Sequence, residues 1–572
     1  MGHSFFGDAT VVRYFEHAWL KESWASYIET LWVEDFHSAD SARMYRFGQQ
    51  EGYISETSRY MRPIVNRRYD HSWTMFDSHL YPGGSARLHM LRGLLGDDVF
   101  FAGVSAYLHQ YAKKTVETDD FRKVLEAHSG LNLTRYFDQW FYSKGYPKFK
   151  TEYKYDDKKQ VASVAFEQTQ VDAAKGVGLF ALDVPVEFKT ADGTVHRAIA
   201  SFDGNNATAT AAVFTGAKAV TVEIDADGFQ LFGLDGNFNP GLEILLKTAA
   251  EARDPVNRVR AYRTLLKEAD FYTLRRVAPI ATAEPLGEVR VAIAKALAQL
   301  RHTPAIDLLL TLAKNEKDDM TRVGIFSTLE FKHPAVYAWA KATVADSATA
   351  TGLTYRQLGS VLRTIAASRK DQDEAYFTKI VTEGPAAAGL GDDYKDMLIG
   401  AAITALSAFQ TESAARTLLA RAESILGNGG ANEEFPVQTQ TLGALGRISH
   451  YVPKPLAETL VETAAESLDS SLHFRIPFSA AMAINNAGHG LAAKYAGRIA
   501  ATKATSPAQD HQFFVKAAAK ARGASAGPGA AVSALVKRVE DLEKQLRDVE
   551  AKHLAKADAD KQVADAAKAA KE

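Results

Sequence analysis

The chain contains no cysteine, so disulfides, thiol nucleophiles and thiolate-held metals are excluded. It carries almost no net charge. Sixty-seven Lys and Arg face 69 Asp and Glu, a formal charge of −2, which leaves no electrostatic case for nucleic acid or an anionic membrane as partner. No run of eighteen apolar residues occurs, so no membrane-spanning helix is expected. Walker-type loops and dinucleotide fingerprints are missing too. The start, Met1-Gly2-His3-Ser4-Phe5-Phe6, lacks the basic and apolar stretches of a signal peptide and the Ser or Thr that myristoylation needs at its sixth position. Localisation therefore stays unknown.

What remains is an ordinary globular composition, 46% apolar and 24% charged. At 572 residues the chain exceeds what one core organises, and three or four domains are expected. Residues 1–147 read as helical. Apolar residues at Leu20, Trp24, Tyr27, Ile28 and Leu31 predict an amphipathic helix over 19–36. Another is expected after Gly83-Gly84 and a third over 98–111. Thr118-Asp119-Asp120-Phe121 reads as an N-cap with acids in the first turn that follows. The texture changes at Lys148. Phe149 to Tyr155 and Val184 to Phe188 alternate apolar and polar residues, with turn signals at Asp192-Gly193 and Asp203-Gly204. Residues 148–235 thus predict a small β-sandwich.

From 240 to 526 the chain is helical again and partly repeats. Arg258 with Leu265 recurs as Arg290 with Leu297 and as Arg322 with Leu329, a step of 32 residues each time. A HEAT-like helical solenoid is the expected reading, with an irregular helical domain as the alternative. Within 530–572, Val532, Leu535, Val539, Leu542, Leu546 and Val549 step by three and four, a short coiled-coil-like seam through which self-association is expected. An Ala- and Lys-rich tail follows.

Few residues suggest chemistry by themselves. His3 and Glu22 flank eighteen residues. Taken alone, that spacing reads as a surface His and a solvated Glu rather than as a metal pair. Glu22 lies between Leu20 and Trp24, where a carboxylate must be solvated, paired or bound to a cation. Tyr81, before Pro82-Gly83-Gly84, reads by itself as a core or turn tyrosine. His71, His79 and His89 form no helical His pair and read as structural. Asp225-Ala226-Asp227-Gly228 hints at a cation loop but lacks the later glutamate of an EF-hand, so a turn is expected.

Several separated segments, in order, resemble the aminopeptidase N family of zinc peptidases. The family pattern is His-Glu-x-x-His, eighteen residues, then Glu. His3 falls on the second histidine and Glu22 on the distal glutamate. Ala18-Trp19-Leu20-Lys21-Glu22-Ser23-Trp24-Ala25 is similar to the family's Trp-Leu-Asn-Glu-Gly-Phe-Ala, with Lys21 for Asn and Ser23 for Gly. Tyr81-Pro82-Gly83-Gly84-Ser85 resembles Tyr-x-Lys-Gly-Ala, with Gly83 for Lys. Asp120-Phe121, Ser129-Gly130, Phe137, Gln139-Trp140, Gly145 and Pro147 fit the family's closing signature.

The resemblance implies a multidomain, mainly α fold: the helical half of a thermolysin-like peptidase domain over 1–147, then the β-sandwich and the helical domain. It implies Zn2+ as cofactor, His3 and Glu22 as metal ligands, Tyr81 as the donor to the oxyanion, and peptides with free N-termini as substrates. The first histidine and the general-base glutamate of the motif would precede Met1, so the resemblance implies a chain truncated inside the motif and inactive alone. A non-catalytic peptidase-like scaffold that binds protein partners is the alternative.

Overall fold

The computed structural model describes residues 1–523 apart from 70, 392, 428–434, 471–472, 474 and 503–507. The apolar seam read from Val532 to Val549 lies outside the described residues. The chain divides into two units, Met1–Leu329 and Glu330–Glu572.

The first unit opens with α1 (Gly2–Phe5), β1 (Thr10–Val12), α2 (Trp19–Phe36) and α3 (Ala39–Thr57). A π-helical turn over His79–Gly83 then runs into α4 (Gly84–Leu95). Next come α5 (Asp97–Tyr111), β2 (Lys114–Val116), α6 (Thr118–Ser129) and α7 (Thr134–Phe137). Strand β1 pairs parallel with β2. Trp19, Trp24, Tyr27, Leu88, Phe121, Phe137 and Phe141 share one core, so the stripe read on 19–36 does face inward. The expected cap at Thr118 is displaced by one residue. Glu117 caps α6, because Asp120 reaches back to the Glu117 N–H in a capping box. Thr118 is instead the first helical residue, and its hydroxyl accepts from Trp19 Nε1 at 2.9 Å.

Seven strands follow: β3 (Lys148–Asp156), β4 (Val161–Gln168), β5 (Ala181–Lys189), β6 (Val195–Asp203), β7 (Thr208–Phe214), β8 (Thr221–Ile224) and β9 (Gly233–Leu234). They form two sheets, of order β7-β4-β3-β9 and β6-β5-β8. Phe149, Val164 and Phe166 of the first sheet share a core with Val186, Phe188 and Phe202 of the second. Alternation along β3 and β4 sends one face into that core. Gln139 ties the helical part to the strands by bonding both the N–H and the carbonyl of Ala181, at 2.8 and 2.9 Å.

Helices α8 (Leu242–Glu251), α9 (Pro255–Leu266), α10 (Phe271–Thr282), α11 (Gly287–Leu300), α12 (Thr303–Asn315) and α13 (Asp319–Ser327) complete the unit. The 32-residue echo has a physical basis in them. Each repeat arginine donates to the carbonyl six residues back: Arg258 to Ala252, Arg290 to Glu284, Arg322 to Glu316. Arg258 and Arg290 also hold a glutamate 26 residues ahead, Glu284 and Glu316, in two-pronged pairs.

The second unit is helical among its described residues, from Pro334–Ala345 to Ala508–Gly523. Inside it, fully buried Asp373 accepts from Lys341 Nζ at 2.8 Å and from the Tyr337 hydroxyl at 2.9 Å. No helix among the described residues is long and apolar enough to cross a membrane.

Candidate active site

His3, Glu22 and Tyr81 meet, although they come from three separate segments. His3 lies on the short α1. Gly2 packs so closely that a Cβ there would lie 3.3 Å from Ala25 Cα and 3.1 Å from Ile28 Cδ1. Gly7 follows at φ +131°, a conformation that favours glycine. Phe6 is buried and stacks on Trp24, ring centres 4.3 Å apart. Those contacts fix the turn that carries His3 against α2. Its Nδ1 lies 3.2 Å from the Phe6 carbonyl, which can only accept, so this nitrogen is the N–H donor. Nε2 lies 3.4 Å from Glu22 Oε2.

Glu22 is in the first turn of α2, where the helix dipole favours a carboxylate. It is 5% exposed, so it is paired rather than solvated. Lys21 Nζ, above the Phe15 ring, lies 3.3 Å from Oε1. The Tyr81 hydroxyl is near enough to feel the same carboxylate. Burial, helped by Glu22, pushes that hydroxyl well above its ordinary pKa, so Tyr81 is a protonated donor at neutral pH. One side of the group stays open: the His3 side chain is 52% exposed.

Tyr81 is placed by a network invisible in the sequence. Leu80, just before it, is held at both ends. Its N–H donates to Asp77 Oδ1 at 2.9 Å, and its carbonyl accepts from Ser23 Oγ at 2.6 Å. Asp77 in turn takes two bonds from Arg62, at 2.8 and 2.6 Å, and one from the Tyr60 hydroxyl at 2.5 Å. Ser23, the departure from the family's Gly, therefore joins the helix bearing Glu22 to the turn bearing Tyr81. Gly84 makes room for it: a Cβ there would lie 2.7 Å from Ser23 Cβ and closer still to its hydroxyl.

Of the three histidines read as structural, His79 proves to be in a metal-capable group. Glu56, Asp77 and His79 offer ligand atoms within 4.8 Å of one another. His79 is fully buried, its Nδ1 3.0 Å from Glu56 Oε2. Burial holds it down to a pKa of about 4, against the pull of Asp77. Arg62 already supplies the positive charge that this group calls for, and the cluster serves to anchor the turn before Tyr81. Glu56, Arg62 and Asp77 carried no sequence signal. His89 is buried beside Tyr27, whose hydroxyl is 3.1 Å from its Nδ1. The Asp225–Gly228 segment is a turn: the Gly228 N–H donates to Asp225 O at 2.9 Å, and the Asp225 carboxylate accepts from the N–H groups of Phe229 and Gln230.

Comparison with known proteins meets this geometry at the same segment. The sequence profile of the peptidase family M1 domain matches residues 1–140. Aminopeptidase N of Lactococcus lactis subsp. lactis is 30% identical over 161 residues, 27% of this chain and 19% of that protein. Aminopeptidase M1-A of Oryza sativa subsp. japonica is 26% identical over 190 residues, 32% of this chain and 21% of its own length. Residues 1–140 thus match peptidase family M1, in line with the resemblance to the aminopeptidase N family read from the sequence. The chain spans about a fifth of the length of these curated relatives. A crystal structure of Legionella pneumophila aminopeptidase A in complex with aspartic acid aligns with 90% of this chain and 64% of that one, at a TM-score of 0.52 and 12% identity, a likeness of fold.

Proposed function

We propose that this chain carries the rear half of a zinc aminopeptidase active site: His3 and Glu22 as two of three metal ligands, and Tyr81 as the donor that steadies the oxyanion. The observation that carries the reading is the approach of His3 Nε2 to Glu22 Oε2 at 3.4 Å, with Tyr81 under the influence of the same carboxylate, inside the segment that matches family M1. The donor set fits zinc. An imidazole nitrogen and a carboxylate oxygen converge on one space, and the imidazole's other nitrogen is held by a carbonyl, as ligating histidines are. Bound zinc would activate water and polarise the scissile carbonyl. Tyr81, kept protonated by burial, is equipped to donate to the oxygen on which negative charge develops, and such a donor contributes about 3–4 kcal/mol of transition-state stabilisation. The Arg62–Asp77–Leu80–Ser23 chain keeps that donor fixed relative to Glu22. Substrates are peptides with a free N-terminus, and the helices from Leu242 onward are read as HEAT-like repeats.

No His-Glu dipeptide occurs in these 572 residues, so the chain supplies no general base of the family type. It therefore does not turn over aminoacyl substrates alone, yet binds zinc weakly through His3 and Glu22. Zinc titration of the purified chain tests this. The affinity falls about tenfold or more in H3A and in E22Q. Zinc binding unaffected by either change, or aminoacyl hydrolysis at an ordinary enzymatic rate, would overturn the proposal.

A further inference from the structure

A second site lies away from Glu22, where α3, the β9 segment and α9 meet. They line a half-open cavity of about 340 Å³, at the small end of the range for ligand pockets. Phe47, Phe232 and Phe238 give it aromatic walls. Its charged groups are matched one by one, with a single exception. Lys148 pairs with Asp235 at 2.9 Å, and Arg263 pairs with Glu51. Arg260 has no ion pair among the described residues. Its guanidinium lies over the Phe232 ring at 4.7 Å and the Phe47 ring at 5.8 Å, and makes one long hydrogen bond, to Ile224 O at 3.3 Å. The nearest acids are engaged elsewhere. Asp254 accepts from Arg43 Nε at 2.9 Å and caps α9, while Asp225 takes the N–H groups of Phe229 and Gln230.

The guanidinium is half-buried, and with one long hydrogen bond and ring faces on its other sides its charge is incompletely solvated. Burial, aggravated by Arg43, draws Arg260 down to a pKa of about 10, so it still carries its charge at neutral pH. A bound anion would relieve this strain, and the planar fork of arginine suits a carboxylate. Three phenylalanine rings favour an apolar body over a bare ion. We propose that this cavity binds a small organic carboxylate with an apolar, ring-sized body, the carboxylate on Arg260 and the body against Phe47, Phe232 and Phe238. The proposal is independent of the metal reading at Glu22.

The test is calorimetric titration of the whole chain with 3-phenylpropanoate, with 3-phenylpropanamide as the uncharged twin. One saturable site per chain is expected, with the amide weaker by about tenfold or more and R260Q weakened to a similar degree. The acid–amide comparison uses the unaltered chain, so it decides even where R260Q fails to fold. No saturable heat into the millimolar range, equal binding of acid and amide, or undiminished binding by folded R260Q would each overturn the proposal. So would inorganic phosphate competing as well as the apolar acid, because the site would then select a bare anion.

Discussion

Gly84 and Ser23 should behave as one unit, and the structure gives the size of their coupling. In Gly84→Ala the new methyl would lie 2.7 Å from Ser23 Cβ and nearer still to Oγ. Either the two helices part or the Ser23 side chain rotates away. Overpacking of this kind costs about 1–3 kcal/mol, and rotation forfeits the Ser23–Leu80 hydrogen bond, worth about 1 kcal/mol. Against this stands the gain of about 1 kcal/mol or less from replacing a helical glycine by alanine. The single variant should therefore lose up to about 2 kcal/mol. Ser23→Gly should lose about 2 kcal/mol, from the lost bond to the Leu80 carbonyl and from a glycine placed inside α2. Together the two changes exchange one small group for another in the same space. The double variant keeps the alanine gain without the clash and should lose only about 1 kcal/mol, a coupling of about 2 kcal/mol. Five of the six tryptophans, at 19, 24, 32, 73 and 140, are in the family M1 segment, so fluorescence-detected urea unfolding reports on this region. Additivity of the two changes within about 0.5 kcal/mol, or stabilisation by Gly84→Ala alone, would refute the reasoning.

Lys21 Nζ lies 3.3 Å from Glu22 Oε1 and competes with a cation there, so Lys21→Asn should tighten zinc binding several-fold, as read by the same titration; unchanged or weaker binding counts against a metal role for Glu22. His79 is neutral in the fold down to about pH 4 and protonates near 6.5 when unfolded. The unfolded state therefore binds the extra proton between those values, and stability falls as pH drops through that window, by up to about 3 kcal/mol from this residue. Buried His89 acts in the same sense, and Asp225, raised by burial to about 7, in the opposite one. Folding stability of His79→Gln measured from pH 7 to pH 4 should show a shallower decline than the unaltered chain; parallel curves would contradict the neutral assignment. Arg258→Ala leaves Glu284 buried and unpaired, with an expected loss of about 3 kcal/mol, whereas Arg258→Met with Glu284→Leu should lose much less; equal losses in chemical denaturation would exclude the pair as the cause.

How much of this was legible depended on the distance along the chain over which each cause acts. Periodicity placed α2, α4 and α5, because a helical stripe is a local pattern. The arginine repeat was legible because its carbonyl bonds span only six residues and its glutamates recur at a constant 26. At Thr118 the same local logic misplaced the cap by one residue, since it gave no weight to the reach of Asp120 back to Glu117. His3 and Glu22 drew notice through a family spacing, not through any property of their own. The residues that hold Tyr81 had no such aid. Ser23 and Leu80 are 57 positions apart, Glu56 and His79 are 23, and Arg62 and Asp77 are 15. None of these separations follows a helix or strand period, so the sequence marks neither partner.

That contrast bears on how the site works. The groups that would touch metal or substrate are few, and a motif can name them. The groups that set their positions are bound by long-range contacts whose partners no local pattern marks. Ser23 shows this directly. Read alone, it is a departure beside a proposed metal ligand. Read with Gly84, where the family also has Gly, and with the Leu80 carbonyl, it is a departure that finds room and a hydrogen-bond partner and ties the helix of Glu22 to the turn of Tyr81. Lys21 shows the opposite case. It places a positive charge on Glu22, and its packing over Phe15 offsets none of that charge. Departures from a family pattern therefore carry functional weight only after their spatial partners are known, and by that criterion Lys21, more than Ser23, is the substitution that should change the chemistry at Glu22.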